Sequence, residues 1–122
     1  MASLSLVTAP VLEPISVQEA KEHCRVDLTD EDALIESYMQ SARQHIETIT
    51  GRALITQQWA LRLDGWPCWI DVPKSPLIST VPLPVAITYV DTAGATQTLA
   101  TDQYRIDAPA GPTAGRGRIE AA

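Results

Sequence analysis

Few side chains in this sequence have a type and spacing that could support catalysis. His23 and Cys24 are neighbours on a predicted helix, so their side chains point about 100° apart and do not form a nucleophile–base pair by themselves. Cys24 and Cys68 are the only cysteines and lack a CxxC spacing, which indicates free thiols rather than a zinc site or a disulfide framework. We therefore expect no catalytic residue, no cofactor and no metal in this chain.

The densest group of carboxylates lies at Asp30, Glu31 and Asp32. Glu36 follows about one helical turn later. Carboxylate oxygens are ligands that Mg²⁺ prefers in proteins. However, Thr29 can cap a helix that begins here, and the helix macrodipole favours negative charge in the first turn. A capped helix start therefore explains these acids without a metal.

The glycines and arginines do not form a recognisable phosphate site. The six glycines never take the spacing of a phosphate loop, a dinucleotide fingerprint or a nucleophile elbow. The tract GRGR at 115–118 is basic and rich in glycine, and Arg116 and Arg118 could contact phosphate or the carboxylate of a partner. A solvated loop explains the same tract, and both interpretations stay open.

The formal net charge of −6 is concentrated in the first part of the chain. Residues 1–50 carry nine acidic and three basic residues, whereas residues 51–122 carry six of each. Tight nucleic-acid binding draws its affinity from lysine and arginine contacts with phosphate, so sequence-specific DNA binding is not expected. A solvated helix face also accounts for this acidic half.

The length of 122 residues predicts one domain with a single core. No apolar run approaches the length of about 18 residues that a membrane span needs. The N-terminus also lacks the basic and long apolar regions of a signal peptide. We therefore expect a protein that is made in the cytoplasm and does not span a membrane.

Two helices are predicted, at 16–25 and 29–50. Ser16 and Glu19 match a capping box at the start of the first helix, and Gly51 supplies a left-handed end for the second. Apolar residues recur along the second helix at a spacing of three and four, namely Leu34, Ile35, Tyr38, Met39, Ala42, Ile46 and Ile49.

After Gly51 the apolar period changes from about 3.6 to about 2, which predicts strands. The predicted strands cover residues 55–64, 69–72, 85–90, 96–99 and 104–107, and a last one begins at Ile119. The first two are expected to pair as a hairpin, as are 85–90 and 96–99 across the turn residues 91–94. The proline-rich stretch 73–84 is expected to be an edge or a loop, and the stretch 108–118 a mobile loop.

The predicted fold is therefore α+β, with an N-terminal helix pair followed by a small antiparallel β-region over about 55–120. The single domain 1–122 would comprise an extended arm (1–12), a helical part (14–51) and a β part (52–122). The predicted core joins Leu34, Tyr38, Ala42, Ile46 and Ile49 to Trp59, Leu61 and Ile87. The arm and the loop 108–118 are expected to become ordered only against neighbouring molecules.

The order of these features resembles a known family. The resemblance is carried by residues 14–66, with EAK and RVD in the first helical region, an acidic start to the long helix and then TGRALITQQW, and by residues 85–107, with YVDTAG and YRID. Together they resemble the head-tail connector (adaptor) proteins of long-tailed phages, prophages and gene transfer agents.

The resemblance implies a structural protein, not an enzyme, that sits in the neck of the virion after synthesis in the host cytoplasm. Such proteins form a ring, usually a dodecamer, beneath the portal protein and join the DNA-filled head to the tail or to a stopper ring. Family members typically continue for several dozen residues, with a C-terminal helix that contributes to portal contact. This chain is expected to lack that segment.

The leading hypothesis is a virion adaptor whose ring binds the portal protein and a stopper or tail-terminator protein, while DNA passes through without specific binding. Its candidate site residues are the lumen-facing acids Asp30, Glu31, Asp32 and Glu36 and the partner-contacting arginines Arg116 and Arg118. The alternative is a small monomeric ligand-binding domain or enzyme with a site between the helices and the sheet. Light scattering would separate a ring from a monomer.

Overall fold

A computed structural model describes residues 1–78, 85–109 and 115–122. Over these residues it contains two helices and three small antiparallel sheets, so the predicted α+β fold is confirmed. The chain divides into two compact units, Met1–Asp64 (unit 1) and Gly65–Ala122 (unit 2). The elements in chain order are β1 (Ala2–Thr8), α1 (Val17–Cys24), α2 (Asp32–Thr50), β2 (Gln58–Leu63), β3 (Trp69–Asp71), β4 (Thr88–Val90), β5 (Thr96–Thr98), β6 (Tyr104–Asp107) and β7 (Arg118–Ala121).

Helix α1 begins at the predicted capping box. The Glu19 N–H donates to the Ser16 hydroxyl oxygen at 3.2 Å, and the Ser16 N–H donates to Glu19 Oε2 at 2.7 Å. This reciprocal pair satisfies backbone donors that a helix start leaves unpaired. The hydrogen bond from the Ser16 backbone, followed by that from its hydroxyl, holds the pKa of the Glu19 carboxyl below its ordinary value. The helix ends at Arg25, whose φ of 57° is left-handed.

Helix α2 ends at the predicted residue but begins later than predicted. Gly51 follows it with a left-handed φ of 65°. At the start, the Thr29 carbonyl oxygen accepts a hydrogen bond from the Asp32 N–H at 3.2 Å, and Glu31 precedes the helix without a side-chain cap bond. The predicted Thr29 cap is therefore wrong, because a backbone turn takes the place of the side-chain cap.

Strand β1 lies antiparallel to β2 within unit 1, with Leu4 opposite Leu61 and Leu6 opposite Trp59. The prediction that residues 1–12 form an arm ordered only against neighbours is wrong for the part that makes β1. Its serines and leucines alternate with the strand period of two, so a strand of the same chain can pair with it.

The sheet of unit 2 has the order β3-β7-β6, with Ile119 of β7 opposite both Ile70 and Ile106. The sequence predicts that the strands at 55–64 and 69–72 pair with each other, and this is wrong. Strand β2 pairs with β1, and β3 pairs with the last strand of the chain. Strands that are neighbours in sequence often pair with each other. Pairing between strands far apart in the chain, such as β3 and β7, leaves no signal in the local sequence.

Tyr104 and Ile119 are the buried hydrophobic residues among the described part of the chain, and both belong to the sheet of unit 2. The Tyr104 hydroxyl donates to the Val85 carbonyl oxygen at 3.1 Å, which satisfies the polar end of a buried ring. This small apolar centre fixes β6 and β7 against the segment before β4.

The hairpin of β4 and β5 forms across the predicted turn. The carboxylate of Asp91 accepts hydrogen bonds from the backbone N–H groups of Ala93 and Ala95, each at 2.9 Å, and from the Gln97 side chain at 3.0 Å. Gly94 takes a φ of 82°, which glycine adopts without steric cost. The strand before the turn is shorter than the predicted 85–90.

Within unit 1, the predicted core is wrong in its position. Leu34, Tyr38, Ile46 and Ile49 are 49%, 65%, 46% and 70% exposed, and Ala42 is exposed as well. Their predicted partners Trp59, Leu61 and Ile87 are only half-buried. The apolar spacing did identify one continuous helix face, but within unit 1 this face is not covered.

The two predicted loops, 73–84 and 108–118, lie partly outside the residues that the structure describes. Residues 79–84 of the proline-rich stretch 73–84 and residues 110–114 of the stretch 108–118 lie outside the described residues. Within the second stretch, Gly117 is buried, and its carbonyl oxygen accepts a hydrogen bond from the Val72 N–H at 2.8 Å. That end of the stretch is therefore part of the sheet region of unit 2.

Candidate interaction site

The buried residues of unit 1, all of which is described, are charged. They are Lys21, Arg43 and Glu47, at 8%, 8% and 3% exposure. Burying a charge costs free energy unless it is paired and hydrogen-bonded, so each of these side chains needs partners. Their partners show how the helices of unit 1 are held.

Arg43 joins α2 to the segment before α1. Its Nε donates to Glu13 Oε2 at 2.7 Å, a second nitrogen reaches Glu13 Oε1 at 3.3 Å, and a third donates to Glu47 Oε2 at 3.0 Å. The two-point contact with Glu13 uses the planar fork of the guanidinium. The hydrogen bond to Glu13 raises the pKa of Arg43 above its ordinary value, so Arg43 is charged at any physiological pH.

Glu47 extends this network past the end of α2. Its Oε1 accepts hydrogen bonds from the Leu54 N–H at 2.9 Å and from the Gln57 side chain at 2.7 Å. The Gln57 amide oxygen in turn accepts from Trp59 Nε1 at 3.1 Å. The charged network therefore connects the segment before α1, helix α2 and strand β2.

A second ion pair fixes α1 on the start of α2. The Lys21 ammonium lies 2.7 Å from Asp32 Oδ1, and the Lys21 side chain is largely shielded from solvent whereas that of Asp32 is partly exposed. Asp32 is therefore engaged inside unit 1, although the sequence predicts it among the acids facing a lumen. The other three predicted acids, Asp30, Glu31 and Glu36, are exposed.

Between the two helices runs an apolar groove of about 370 Å³. Its walls come from α1, α2 and the segments that flank them, and the lining residues include Ile15, Ala20, Ile35, Tyr38, Met39, Ala42 and Ile46. We call it the α-groove. Arg43 and Glu13 also line it, but their charges are directed at each other. The α-groove therefore offers apolar contact and few free polar groups.

The two predicted partner-contacting arginines lie in unit 2. Arg118 belongs to β7, where its Nε is 3.2 Å from Asp71 Oδ1 and its guanidinium lies 5.4 Å from the centre of the Trp69 ring. Arg116 is exposed and precedes that strand. Arg118 is thus held by intramolecular contacts, and only Arg116 keeps the loop position that the sequence predicts.

Sequence reasoning missed the charged network at Glu13, Arg43, Glu47 and Gln57. One signal was present, because Arg43 and Glu47 are four residues apart on a predicted helix and such pairs meet on one face. Glu13 and Gln57 are not close to Arg43 or Glu47 in a local pattern, so only the fold brings them together.

No group of three or more histidine, cysteine, aspartate or glutamate side chains that could hold a metal ion occurs within residues 1–78, 85–109 and 115–122. In the same part of the chain, no helix has the length and apolar character needed to cross a bilayer.

A comparison with protein families decides the kind of protein. The family model described as phage gp6-like head-tail connector protein matches residues 14–104. The chain belongs to this family. The match covers both helices and, apart from Glu13, the residues of the α-groove and the charged network, and it confirms the resemblance seen in the sequence. No curated protein and no solved structure gives a match.

Membership makes this connector a structural phage protein of the head-tail junction, in the neck of the virion, that associates with other head and tail proteins. Such a role depends on surfaces that bind other proteins rather than on reactive groups. The exposed apolar α-groove and the charged network that shapes it are therefore the features of unit 1 to consider for function.

Proposed function

We propose that this connector is an adaptor subunit that forms a ring of about twelve copies under the portal protein. In this proposal the ring also binds a stopper or tail-terminator protein, and DNA passes through it from head to tail. The observation that carries the proposal is the family match over residues 14–104, which includes the whole helix pair. The number of copies comes from the resemblance of the sequence to ring-forming adaptors.

The exposed surface of the chain supports assembly with other molecules. Its accessible surface is 9101 Å², whereas two separate compact domains that share its mass of 13.2 kDa would expose about 7,700 Å² together. The excess is about 1,400 Å².

The distribution of charge supports passage of DNA rather than binding. Asp30, Glu31 and Glu36 are exposed around the start of α2, and residues 1–50 hold the whole net charge of −6. If these acids line the ring, they repel phosphate within a Debye length of about 8 Å at physiological salt. A duplex could then slide without being trapped by basic contacts.

The alternative from the sequence, a small monomeric ligand-binding domain or enzyme, has less support. Ligand pockets combine apolar walls with a few polar groups free to orient the ligand. In the α-groove the charged groups of Arg43 and Glu13 bind each other instead. A thermal-shift screen with metals and nucleotides tests this alternative, because a specific ligand raises the unfolding temperature.

The experiment for the ring is co-expression of the chain with the portal protein encoded beside it, followed by light scattering of the purified complex. The mass should correspond to the portal oligomer plus about twelve copies of the chain. A portal oligomer that emerges without the chain would contradict the proposal. The free chain serves as the reference, since portal binding can be the step that organises the ring.

A further inference from the structure

We propose that the outer edge of strand β1 pairs with β1 of a second copy, so that two free chains form one four-stranded sheet in the order β2-β1-β1-β2. The inference goes beyond the proposed ring, because it concerns the chain before it meets the portal protein. The occupant of the edge is a second copy of this chain. The backbone groups, the charge and the residue pattern of β1 lead to this assignment.

Strand β1 uses only one of its two edges. Among the strands of the described residues it pairs with β2 alone, in a two-stranded sheet. Successive residues of an antiparallel strand direct their N–H and C=O groups to opposite sides, so about half of the backbone groups of β1 face away from β2. Another extended strand can bind such a row of groups. An isolated two-stranded sheet is only marginally stable, so the addition of strands at this edge is favourable.

The outer edge of β1 lacks the features that keep a strand edge from pairing. Such edges usually carry charged side chains or proline, or they are very short. Strand β1 has the sequence ASLSLVT, seven residues without a charge or a proline. Its register with β2 is regular from Ala2 to Leu6 and shifts between Leu6 and Thr8. The regular part of β1 is therefore the edge to which a further strand adds.

The charge of unit 1 favours this strand as a contact between identical molecules. Residues 1–64 carry ten acidic and five basic residues, a net charge of −5. Two copies that approached through their acidic helices would repel each other, since like charges disfavour contact. Residues 2–8 carry no charged side chain, and the N-terminal ammonium beside them is paired with Asp64. Strand β1 therefore lets two copies meet without bringing their acids together.

The residue pattern selects a second β1 as the added strand. The regular part reads ASLSL, in which leucine or alanine alternates with serine. An antiparallel copy centred on Leu4 places that residue opposite its own counterpart. Ala2 then lies opposite Leu6, and the two serines lie opposite each other. A pairing shifted by one residue would place leucine opposite serine. The sequence of β1 is therefore complementary to itself.

The same pairing extends an apolar face of the sheet. Opposite residues of antiparallel strands lie on one face, so Leu4 shares a face with Leu61, and Leu6 shares it with Trp59. Across the two-fold axis this face continues from one copy into the other, where apolar cross-strand pairs stabilise the sheet. The contact is isologous, so it closes at two copies and does not itself build a ring.

The test uses position 4, which meets itself across the two-fold axis. Light scattering of the free chain at increasing concentration should give a mass that rises from 13.2 kDa to twice that value. Leu4→Lys and Leu4→Glu each place like charges directly opposite each other, so each variant alone should keep the mass of one chain. An equimolar mixture of the two variants should regain the double mass, because lysine then faces glutamate.

The matched control is Leu63→Lys. Leu63 and Leu4 are both 37% exposed and lie on the same face, but Leu63 belongs to β2, away from the new contact. The control should therefore form the dimer as the unmodified chain does. Helical circular dichroism checks that each variant keeps the fold of unit 1, since both helices lie in that unit.

A second readout needs no substitution. In the monomer, hydrogen exchange followed by NMR should show protection of every second amide of residues 2–6, namely those that donate to β2. At concentrations where the mass doubles, the intervening amides should also become protected. This measurement decides the inference even if the charged variants fail to fold.

Several outcomes overturn the inference. One is a free chain that keeps the mass of one copy at all concentrations. If both sets of amides are protected in that monomer, another segment of the same chain occupies the edge. A dimer that Leu4→Lys forms as well as Leu63→Lys does also overturns it, as do folded variants at position 4 that stay monomeric when mixed, or a free oligomer of more than two copies. The adaptor function is tested separately, with the portal protein, and stands after any of these results.

Discussion

Arg43 holds three segments of unit 1 together through its contacts with Glu13 and Glu47. A buried ion pair contributes little net stability, because desolvation offsets the attraction, but removing one partner leaves an uncompensated charge. Arg43→Ala would remove the guanidinium that pairs with Glu13 and with the buried Glu47. We expect a loss of about 3–5 kcal/mol in the free energy of unfolding.

The measurement is urea unfolding followed by the helical circular dichroism signal, which reports on unit 1 because α1 and α2 both lie in it. Gln44→Ala is the matched control, since Gln44 is the next residue on the same helix and is exposed. It should change the unfolding free energy by less than about 0.5 kcal/mol. Equal stability of the two variants would show that the charged network does not hold the helices.

Asp91 provides a prediction about pH. The hydrogen bond from Gln97 and those from the backbone of Ala95, Ala93 and Gly94 hold the pKa of its carboxyl below the ordinary value. A group with a lowered folded-state pKa stabilises the fold above its unfolded-state pKa of about 3.9, and this contribution is lost as the pH falls through the folded-state pKa. The hairpin should therefore loosen only below about pH 4.

Carboxyl chemical shifts in an NMR titration measure this pKa directly. Asp102, which is exposed in the same unit, provides a comparison in the same spectrum. The Asp91 midpoint should lie below the ordinary aspartate value. A midpoint at or above that value would mean that the turn does not hold the carboxylate.

For individual residues, the sequence predicted those contacts that form between residues close together in the chain. The capping box of Ser16 and Glu19, the helix end at Gly51 and the turn at Asp91 each use contacts within a few positions. The Thr29 cap failed because a backbone turn competes with a side-chain cap for the same N–H groups. Glu13 and Gln57 could not be assigned, since their partners lie far away in sequence.

Among the elements, strand β1 differs most from the expectation. Its pairing with β2 should protect from hydrogen exchange those backbone amides of residues 2–8 that donate to β2, because their exchange requires the pairing to open. Residues 11–12 follow the strand, outside the helices and strands of unit 1, and serve as the internal control. In the free chain the first group should exchange more slowly than the second. Equally fast exchange of the two groups would support an arm that becomes ordered only against a neighbouring molecule.

The apolar face of α2 shows what periodicity can and cannot establish. The spacing of Leu34, Tyr38 and Ile46 identified a helix and one apolar face, and the helix is present. It did not identify what covers the face, because a pattern that favours burial is the same for a core and for an interface. Within unit 1, the predicted partners Trp59 and Leu61 do not bury this face.

The strand order failed for a similar reason. Strands β2, β3 and β7 were each anticipated near their positions, but their partners were not. Strand pairing depends on long-range contacts that residue types alone do not specify. The local hairpin of β4 and β5 was predictable because a short turn joins its strands.

For the molecule as a whole, the account predicts that DNA passes the connector without being held. Replacing Asp30, Glu31 and Glu36 with lysine should leave folding nearly unchanged, because exposed charges contribute little to stability. If these residues face the lumen, the triple variant should slow DNA release from reconstituted particles. Asp32 is left in place because it pairs with Lys21.

The matched control replaces the same three acids with asparagine or glutamine, which removes repulsion without adding attraction. A gel-shift assay on the purified proteins accompanies the release measurement. DNA binding by the unmodified chain in the low-micromolar range or tighter at about 150 mM salt, where non-specific binders reach only about 10⁻⁴ to 10⁻⁶ M, would contradict passage without binding.

The central claim is that this chain is a structural component of the junction between head and tail. A cryo-electron microscopy reconstruction of the neck of the assembled particle tests it most directly. The account predicts a ring of density between the portal protein and the tail into which the helices and sheets of units 1 and 2 fit. A neck that contains no density for this chain would contradict the claim.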